Sequence, residues 1–241
     1  MRAARTSTVA ILPLGPETRG VSAFDAFVLL SFGGPESQED VMPFLENVTR
    51  GRGVPRERLL EVSAHYVHLG GKSPINAQNR EMLDALERAF AERGHALRFY
   101  FGNRNWHPFI ADTLRTMRDD GVKRALVYAT SAYRSYSGCR QYLEDIERAR
   151  TEVPGAPELV KLRPFADHPR FVAACAARLR EARERFGRPS ARILFTAHSI
   201  PNAMAATCAY ELDLRETCAN VIAAACPCLL YTSDAADERS S

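Results

Sequence analysis

The sequence lacks the long apolar runs that a membrane-spanning helix requires. Its apolar segments are interrupted by Arg, Asp or Pro before they reach the roughly 18 residues that such a helix needs. The N-terminal segment carries two early arginines, but its apolar patch is too short for a secretion signal. The sequence therefore predicts no transmembrane segment and a cytoplasmic location.

The sequence also lacks a cysteine framework and a strong excess of charge. Its six cysteines follow no regular spacing, which argues against a small secreted domain held by disulfides. The 32 Lys and Arg residues and the 29 Asp and Glu residues leave a net charge of +3, and the basic residues form no continuous tract. Nucleic acid or an anionic membrane is therefore not expected as the main partner.

What the sequence does contain is a regular alternation of short apolar runs and segments of helical periodicity. With 46% hydrophobic residues, the chain can bury a sizeable core. We expect strands at residues 25–32, 97–101, 125–129, 159–162 and 192–198, and helices at 36–48, from about 55, and at 76–93, 108–120, 138–150, 169–185 and 209–225. This alternation predicts an α/β fold, in which doubly wound parallel sheets carry helices on both faces.

The chain is predicted to divide into four parts. Residues 1–24 are interpreted as an N-terminal extension, residues 25–130 and 131–225 as two α/β domains, and residues 226–241 as a tail. The tail begins where an alanine-rich helical pattern ends, and it shows neither helical period nor strand alternation. It is therefore interpreted as non-native sequence without a functional role.

The segments that follow the predicted strands are the first candidates for a site, because parallel sheets bind ligands outside the carboxyl ends of their strands. His198 follows the last predicted strand, and Pro201 favours an extended chain just beyond it. A neutral imidazole can bind a metal ion or accept a proton, since its ordinary pKa is about 6.5. A core histidine bonded to a backbone carbonyl would fit the same position, and both interpretations stay open.

Three further segments combine polar and aromatic side chains. Residues 70–75 offer an anion backbone N–H groups, a hydroxyl and a Lys, although a simple helix start at Ser73 fits equally well. Residues 103–107 and 133–142 suit a flat ligand with charged edges, because Arg pairs with carboxylates and aromatic rings stack on planar faces. The alternatives are an exposed loop and a helix N-terminus capped by Ser135 or Ser137.

Taken together, five segments resemble the ferrochelatase family. They are LLSFGGPES, HLGGKSPIN, FGNRNWHPFI, TSAYRSYSGCRQYLEDI and FTAHSIP, they occur in the family's order, and the resemblance covers about residues 25–225. It implies two chelatase-type domains, the second incomplete, with a porphyrin in a cleft between them. The implied enzyme is a lyase of haem biosynthesis that inserts Fe²⁺, as a substrate, into the porphyrin.

The resemblance also implies roles for individual residues. His198 matches the metal-site histidine, which takes part in iron delivery or in removal of a pyrrole proton. Ser73 and Tyr142 match positions that hold porphyrin propionates in the coproporphyrin-using branch, which favours coproporphyrin III over protoporphyrin IX. Nearby porphyrin contacts are implied for Phe32, Arg104, His65 and Tyr66.

Three features of the resemblance concern what differs or is missing. Phe32 replaces a tyrosine or methionine of some relatives, so no phenol is available there as an axial ligand. Cys139 matches one of four cysteines that bind a [2Fe–2S] cluster in some members, the other three lying near the family's C-terminus. The family's partner glutamate also lies beyond residue 225, so half of the metal site and an inactive fragment are expected. The alternatives are another tetrapyrrole metal chelatase and a non-catalytic tetrapyrrole-binding module.

Overall fold

The structure is a computed structural model that describes residues 10–12, by their backbone, and residues 23–188 and 191–226. Residues 227–241, nearly all of the predicted tail, lie outside the described residues. The chain forms two compact units, the first of Met1–Ser131 and Arg140–Arg163, the second of Ala132–Cys139 and Pro164–Ser241. Residues 140–163 thus group with the first unit, whereas the sequence predicts one boundary after residue 130.

A five-stranded sheet forms the centre of the first unit. Its strands are β1 (Ala10–Leu12), β2 (Ala26–Ser31), β3 (Arg98–Asn103), β4 (Arg124–Ala129) and β5 (Glu158–Leu162). They are arranged in the order β1-β5-β4-β2-β3, and each neighbouring pair is parallel. The predicted α/β class with a parallel sheet is therefore confirmed.

The helices lie close to the predicted positions. They are α1 (Val41–Val48), α2 (Arg56–His68), α3 (Ile75–Ala91), α4 (Ile110–Asp119), a π-helical turn (Tyr136–Arg140), α5 (Gln141–Glu152), α6 (Pro169–Phe186), α7 (Asn202–Ala205) and α8 (Tyr210–Ala225). The bounds of α6 follow from local chemistry: the His168 side chain accepts a hydrogen bond from Arg170 N, and Gly187 ends the helix with a left-handed φ of 65°. Among the helices of the described residues, none is long and apolar enough to cross a membrane.

Apolar side chains cover both faces of the sheet. Every residue of β2 is buried, as expected for a strand with helices on both sides. One face packs against α4 and α5 through a cluster that includes Val28, Leu30, Leu114 and Ile146. The other face packs against α3 through Phe27, Leu29, Leu86 and Phe90. The core of the first unit thus holds the carboxyl ends of the strands in fixed positions.

Two predictions of secondary structure are wrong. Residues 10–12, assigned to an irregular extension, form β1, which pairs in parallel with β5. Residues 192–198, predicted as the last strand, have no regular secondary structure. A strand needs a neighbour to satisfy its backbone N–H and C=O groups. The described residues of the second unit contain no other strand with which this segment could pair.

The second unit is built on the packing of α6 against α8. Asp213 of α8 is 5% exposed and accepts hydrogen bonds from the backbone N–H and the guanidinium of Arg134, the shortest at 2.5 Å. The Asp213 carboxylate raises the pKa of that guanidinium, which stays charged. Tyr133 packs edge-on against Phe171 and Tyr210 beside this ion pair. Helix packing and aromatic contacts hold this unit together, and its described residues contain no sheet.

Candidate functional site

The order of the strands indicates a binding edge at the carboxyl ends of β2 and β4. The chain passes from β2 to β3 on one side of it and then to β4 on the other, and α/β sheets bind ligands where the strand order reverses in this way. Thr130 joins the two strand ends, since its Oγ1 donates to Ser31 Oγ at 3.0 Å. Residues 32–35 and 102–107, two of the predicted site segments, leave the sheet at this edge.

Phe32 directly follows the end of β2 and is 42% exposed. Its ring packs edge-on against Phe44 of α1, with 6.2 Å between the ring centroids. Phe44 is buried and also contacts the rings of Tyr66 and Trp106, at 6.4 and 6.0 Å. We call Phe32, Phe44, Tyr66 and Trp106 the aromatic cluster. Burial raises the pKa of the Tyr66 phenol, so this group stays neutral.

Ser73 lies against the turn that ends β2. Its backbone N–H donates to Pro35 O at 2.8 Å, and a Cβ atom added to Gly34 would lie 2.7 Å from Ser73 Cβ. Glycine is required at position 34 because of this close approach. The Ser73 hydroxyl accepts a hydrogen bond from Ile75 N at 3.3 Å, as the helix-start interpretation predicts.

Two buried asparagines fix the loop that follows β3. Asn76 of α3 and Asn103 of β3 are fully buried, and Asn103 Nδ2 donates to Asn76 Oδ1 at 3.1 Å. Asn76 Nδ2 also donates to Gly34 O at 3.3 Å, and Asn103 Nδ2 to His107 O at 2.9 Å. Breaking these bonds would leave buried amides unpaired, so residues 104–107 are held firmly beside the β2 turn.

Arg104 is paired within the protein. Its Nε donates to Asp145 Oδ2 at 2.5 Å, and its Cζ lies 4.9 Å from the centroid of the Tyr142 ring. The side chains of Arg104 and Asp145 are only 6% and 10% exposed, and Tyr142 is buried. Burial raises the pKa of the Tyr142 phenol, against the opposing effect of the Arg104 charge. The structure thus brings Arg104 and Tyr142 together, with both side chains largely covered.

Arg104 also forms part of the wall of a cavity of about 790 Å³ in the first unit. The end of α1 with its following loop, the loop after β3, the start of α4 and one face of α5 form this wall. Its charged residues are Arg50, Arg52, Arg104, Arg148, Asp145 and Glu152. Arg50 and Arg52 are not among the residues predicted from the sequence, because their glycine-containing segment signals only the end of a helix.

His198 lies in the second unit and is exposed, so the interpretation as a core histidine is wrong. Its Nδ1 lies 2.6 Å from Ser199 O, and its own carbonyl accepts a hydrogen bond from the Tyr210 hydroxyl at 3.0 Å. A proton on Nδ1, donated to the Ser199 carbonyl, leaves Nε2 as the basic nitrogen. The ring can therefore act as a base or a metal ligand through Nε2.

The remaining site residues predicted from the sequence are His65 and Cys139. His65 is exposed on α2, beside Tyr66 in sequence. Cys139 is a half-buried free thiol in the π-helical turn. Ser135 Oγ accepts a hydrogen bond from Gly138 N at 2.9 Å at the start of this turn, which confirms the capping interpretation for Ser135.

Comparison with known proteins identifies the family. A family model described as Ferrochelatase matches residues 24–234, most of the chain. The chain belongs to the ferrochelatase family. The match runs from β2 through α8, and it continues into residues 227–234, which belong to the predicted tail.

Relatives within the ferrochelatase family are similar over most of this chain. A ferrochelatase from Rhodopirellula baltica is 55% identical over 206 residues, covering 84% of this chain and 58% of the relative. A coproporphyrin III ferrochelatase from Mycolicibacterium smegmatis is 54% identical over 209 residues, covering 84% and 62%. One from Nocardia farcinica is 60% identical over 185 residues, covering 75% and 53%. The chain thus spans about three fifths or less of the length of these relatives.

The described part of this chain gives no support for the [2Fe–2S] cluster predicted from Cys139. Such a cluster is held by four protein ligands, usually cysteine thiolates. Within residues 23–188 and 191–226, no three His, Cys, Asp or Glu side chains are grouped so that they could hold a metal ion. Cys139 therefore has no ligand set around it in these residues, and nothing in them supports a cluster.

Proposed function

We propose that the chain is the porphyrin-binding part of a ferrochelatase, a lyase that inserts Fe²⁺ into a porphyrin in haem biosynthesis. The observation that supports this best is the grouping of the exposed Phe32 ring, the Ser73 segment and the anchored loop of residues 104–107 around the end of β2. A ring face next to polar rim groups suits a flat ligand with carboxylate arms. The cytoplasmic location stays a prediction.

Coproporphyrin III is the proposed porphyrin, in preference to protoporphyrin IX. Two of the relatives described above are named coproporphyrin III ferrochelatases. Ser73, Tyr142, Phe32, Arg104, His65 and Tyr66 are the proposed porphyrin-binding residues. Because Arg104 and Tyr142 are largely covered, we assign them to the floor of the site, and Phe32 and Ser73 to direct contact.

His198 is the proposed proton acceptor and iron ligand. Two pyrrole protons must leave while Fe²⁺ exchanges water for the ring nitrogens, and a neutral imidazole can take up a proton near neutral pH. The two glutamates of α8, Glu211 and Glu216, are exposed, and Glu211 pairs with Arg215 at 2.7 Å. Neither is assigned as a carboxylate partner of His198.

The test separates porphyrin binding from iron insertion. Coproporphyrin III and protoporphyrin IX are titrated into the chain and into a form extended at its C-terminus to the length of its relatives, and Fe²⁺ is then added anaerobically while absorbance is recorded. In the extended chain, we expect His198→Ala to bind porphyrin as the parent does and to lose at least about 100-fold in insertion rate, the size of a general-base contribution. His95→Ala, a histidine beside Phe90, is the matched control and should insert iron normally.

Three results would change this proposal. Binding without iron insertion by the extended chain would support the non-catalytic binding module instead. Insertion of Co²⁺ or Ni²⁺ but not Fe²⁺ would support another tetrapyrrole chelatase. Equal loss of insertion in His198→Ala and His95→Ala would remove His198 from the mechanism.

A further inference from the structure

The cavity beside Arg104 has a wall with more positive than negative side chains. Four arginines line it, against Asp145 and Glu152. Arg50 and Arg52 are exposed, and among the described residues no ion pair joins either of them to a carboxylate. The cavity therefore offers an anion two guanidinium groups that no carboxylate among the described residues neutralises.

The backbone holds these two arginines beside the cavity. Asn47 Nδ2, at the end of α1, donates to Asn105 O at 2.9 Å and ties the helix to the loop after β3. Gly51 separates the two arginines with a φ of 77°, a left-handed conformation that a side chain would strain. Arg50 and Arg52 thus flank a tight turn whose helix is anchored at the cavity wall.

The Asp145 carboxylate is an example of an anion that the arginines of the wall bind. Its carboxylate is 10% exposed and binds both Arg104 and Arg148. Arg148 is 68% exposed, and a guanidinium has five N–H donors, so it keeps donors for a second carboxylate. Asp145 acts as a positioning residue that holds the Arg104 side chain in the wall, while the Arg148 side chain stays largely exposed.

We propose that this cavity is a subsite for the carboxylates of a polyanion, bound by Arg50, Arg52 and Arg148. The carboxylates could come from the propionate arms of a porphyrin or from a free small polycarboxylate. Because more of the wall is polar than apolar, we place the carboxylates in the cavity and the ring of a porphyrin outside it. Only the porphyrin source rests on the proposed function.

The experiment measures binding to the whole chain with probes that differ in their carboxylates. Tricarballylate, a free tricarboxylate, is titrated by calorimetry, with inorganic phosphate as a competing anion. Coproporphyrin III, with four carboxylates, and protoporphyrin IX, with two, are titrated by fluorescence. The variants are Arg148→Gln and Arg52→Gln, with circular dichroism to confirm folding.

Arg115→Gln is the matched control. Arg115 pairs with Asp112 three residues before it on α4, as Arg148 pairs with Asp145 on α5, but it is not part of the cavity wall. The Arg115→Gln substitution removes the same charge from the same unit as the cavity variants. We expect each cavity variant to weaken binding about tenfold, as for one lost charge-assisted hydrogen bond, and the control to leave it unchanged.

The outcomes identify the source of the carboxylates. Binding of tricarballylate that the cavity variants weaken supports a free polycarboxylate, even if no porphyrin binds and the proposed function fails. A weakened coproporphyrin III complex with an unchanged protoporphyrin IX complex supports the propionate arms. The subsite is overturned if the control weakens binding as much as the variants, if phosphate binds as tightly as tricarballylate, or if no carboxylate probe responds to the variants.

Discussion

An apolar run of the first unit and an apolar run of the second have different structures. In the first unit Leu29 of β2 is completely buried between α3 and the sheet. In the second unit Leu194 and Phe195, in the segment predicted as a strand, are 86% and 40% exposed. An apolar run therefore becomes a buried strand in the first unit, where neighbouring strands pair with it, and stays irregular in the second.

The difference shows that the apolar pattern alone does not make a strand. Residues 26–31 and 192–198 both contain a run of apolar residues, but β2 pairs with both β3 and β4 over nearly its whole length. Pairing satisfies backbone groups that would otherwise need water, and it allows the side chains to be buried. The stability of the chain should therefore depend much more on the first segment than on the second.

Replacing the two leucines gives the largest expected difference. Leu29→Ala removes a fully buried side chain and leaves a cavity, which should lower the free energy of unfolding by about 4 kcal/mol. Leu194→Ala removes an exposed side chain and should change it by less than about 0.5 kcal/mol. Urea denaturation is followed by fluorescence of Trp106, the single tryptophan, and by circular dichroism.

The comparison between the units would break if the two leucine variants had similar effects. A large fall in the free energy of unfolding of Leu194→Ala, measured by circular dichroism, would mean that residues 192–198 are packed in solution. A small change in the free energy of unfolding of Leu29→Ala would mean that the sheet of the first unit is loosely packed.

The buried carboxylates of the two units give a second, smaller contrast. Asp145→Ala leaves the 6% exposed Arg104 without its carboxylate and should cost about 3 kcal/mol. Asp213→Ala leaves Arg134 without its carboxylate, but Arg134 is 56% exposed and can be solvated by water. The free energy of unfolding should therefore fall by only about 1 kcal/mol. Trp106 fluorescence reports the first variant, and hydrogen exchange of α8 reports the second.

Asp84→Ala, an exposed acid on α3, is the control for both carboxylate variants and should be neutral. An equal cost for Asp145→Ala and Asp213→Ala would show that exposure of the arginine does not decide the value of the pair. A neutral Asp145→Ala would also remove the positioning role of Asp145 at the cavity.

Most of the fold of the first unit could be predicted from the sequence, because its signals are local. Strands β2, β4 and β5 are short apolar runs, and α3 and α4 have clear helical periodicity with polar residues on the outer face. Strand β1 was missed, since three residues are too few for a pattern. The prediction for residues 192–198 is wrong because a strand there would need a neighbouring strand to pair with. The residues of the segment do not show whether such a strand is present.

The candidate site was only partly predictable for the same reason. Phe32, Ser73 and Arg104 follow strands or precede a helix, and the motifs around them are contiguous. The pair of Arg104 with Asp145 joins residues 41 positions apart, and the asparagine pair joins residues 27 apart. Such contacts arise from the folded arrangement of strands and helices, and the positions predicted for porphyrin and iron binding stay predictions.

The smallest expected effect concerns the amino ends of β2 and β4. Asp25 accepts hydrogen bonds from Lys123 N and Arg124 N at 2.8 and 2.9 Å, and these bonds lower its pKa below the ordinary 3.8. A lowered pKa contributes stability that is fully present above 3.8 and is lost as the pH falls below that value. Because the side chain is exposed, Asp25→Asn should cost only about 0.5 kcal/mol at neutral pH and nothing in strong acid. Urea denaturation from neutral to acidic pH, with Asp84→Asn as control, tests this: a gap between parent and Asp25→Asn that widened on acidification would show that the Asp25 carboxylate does not join the two strands.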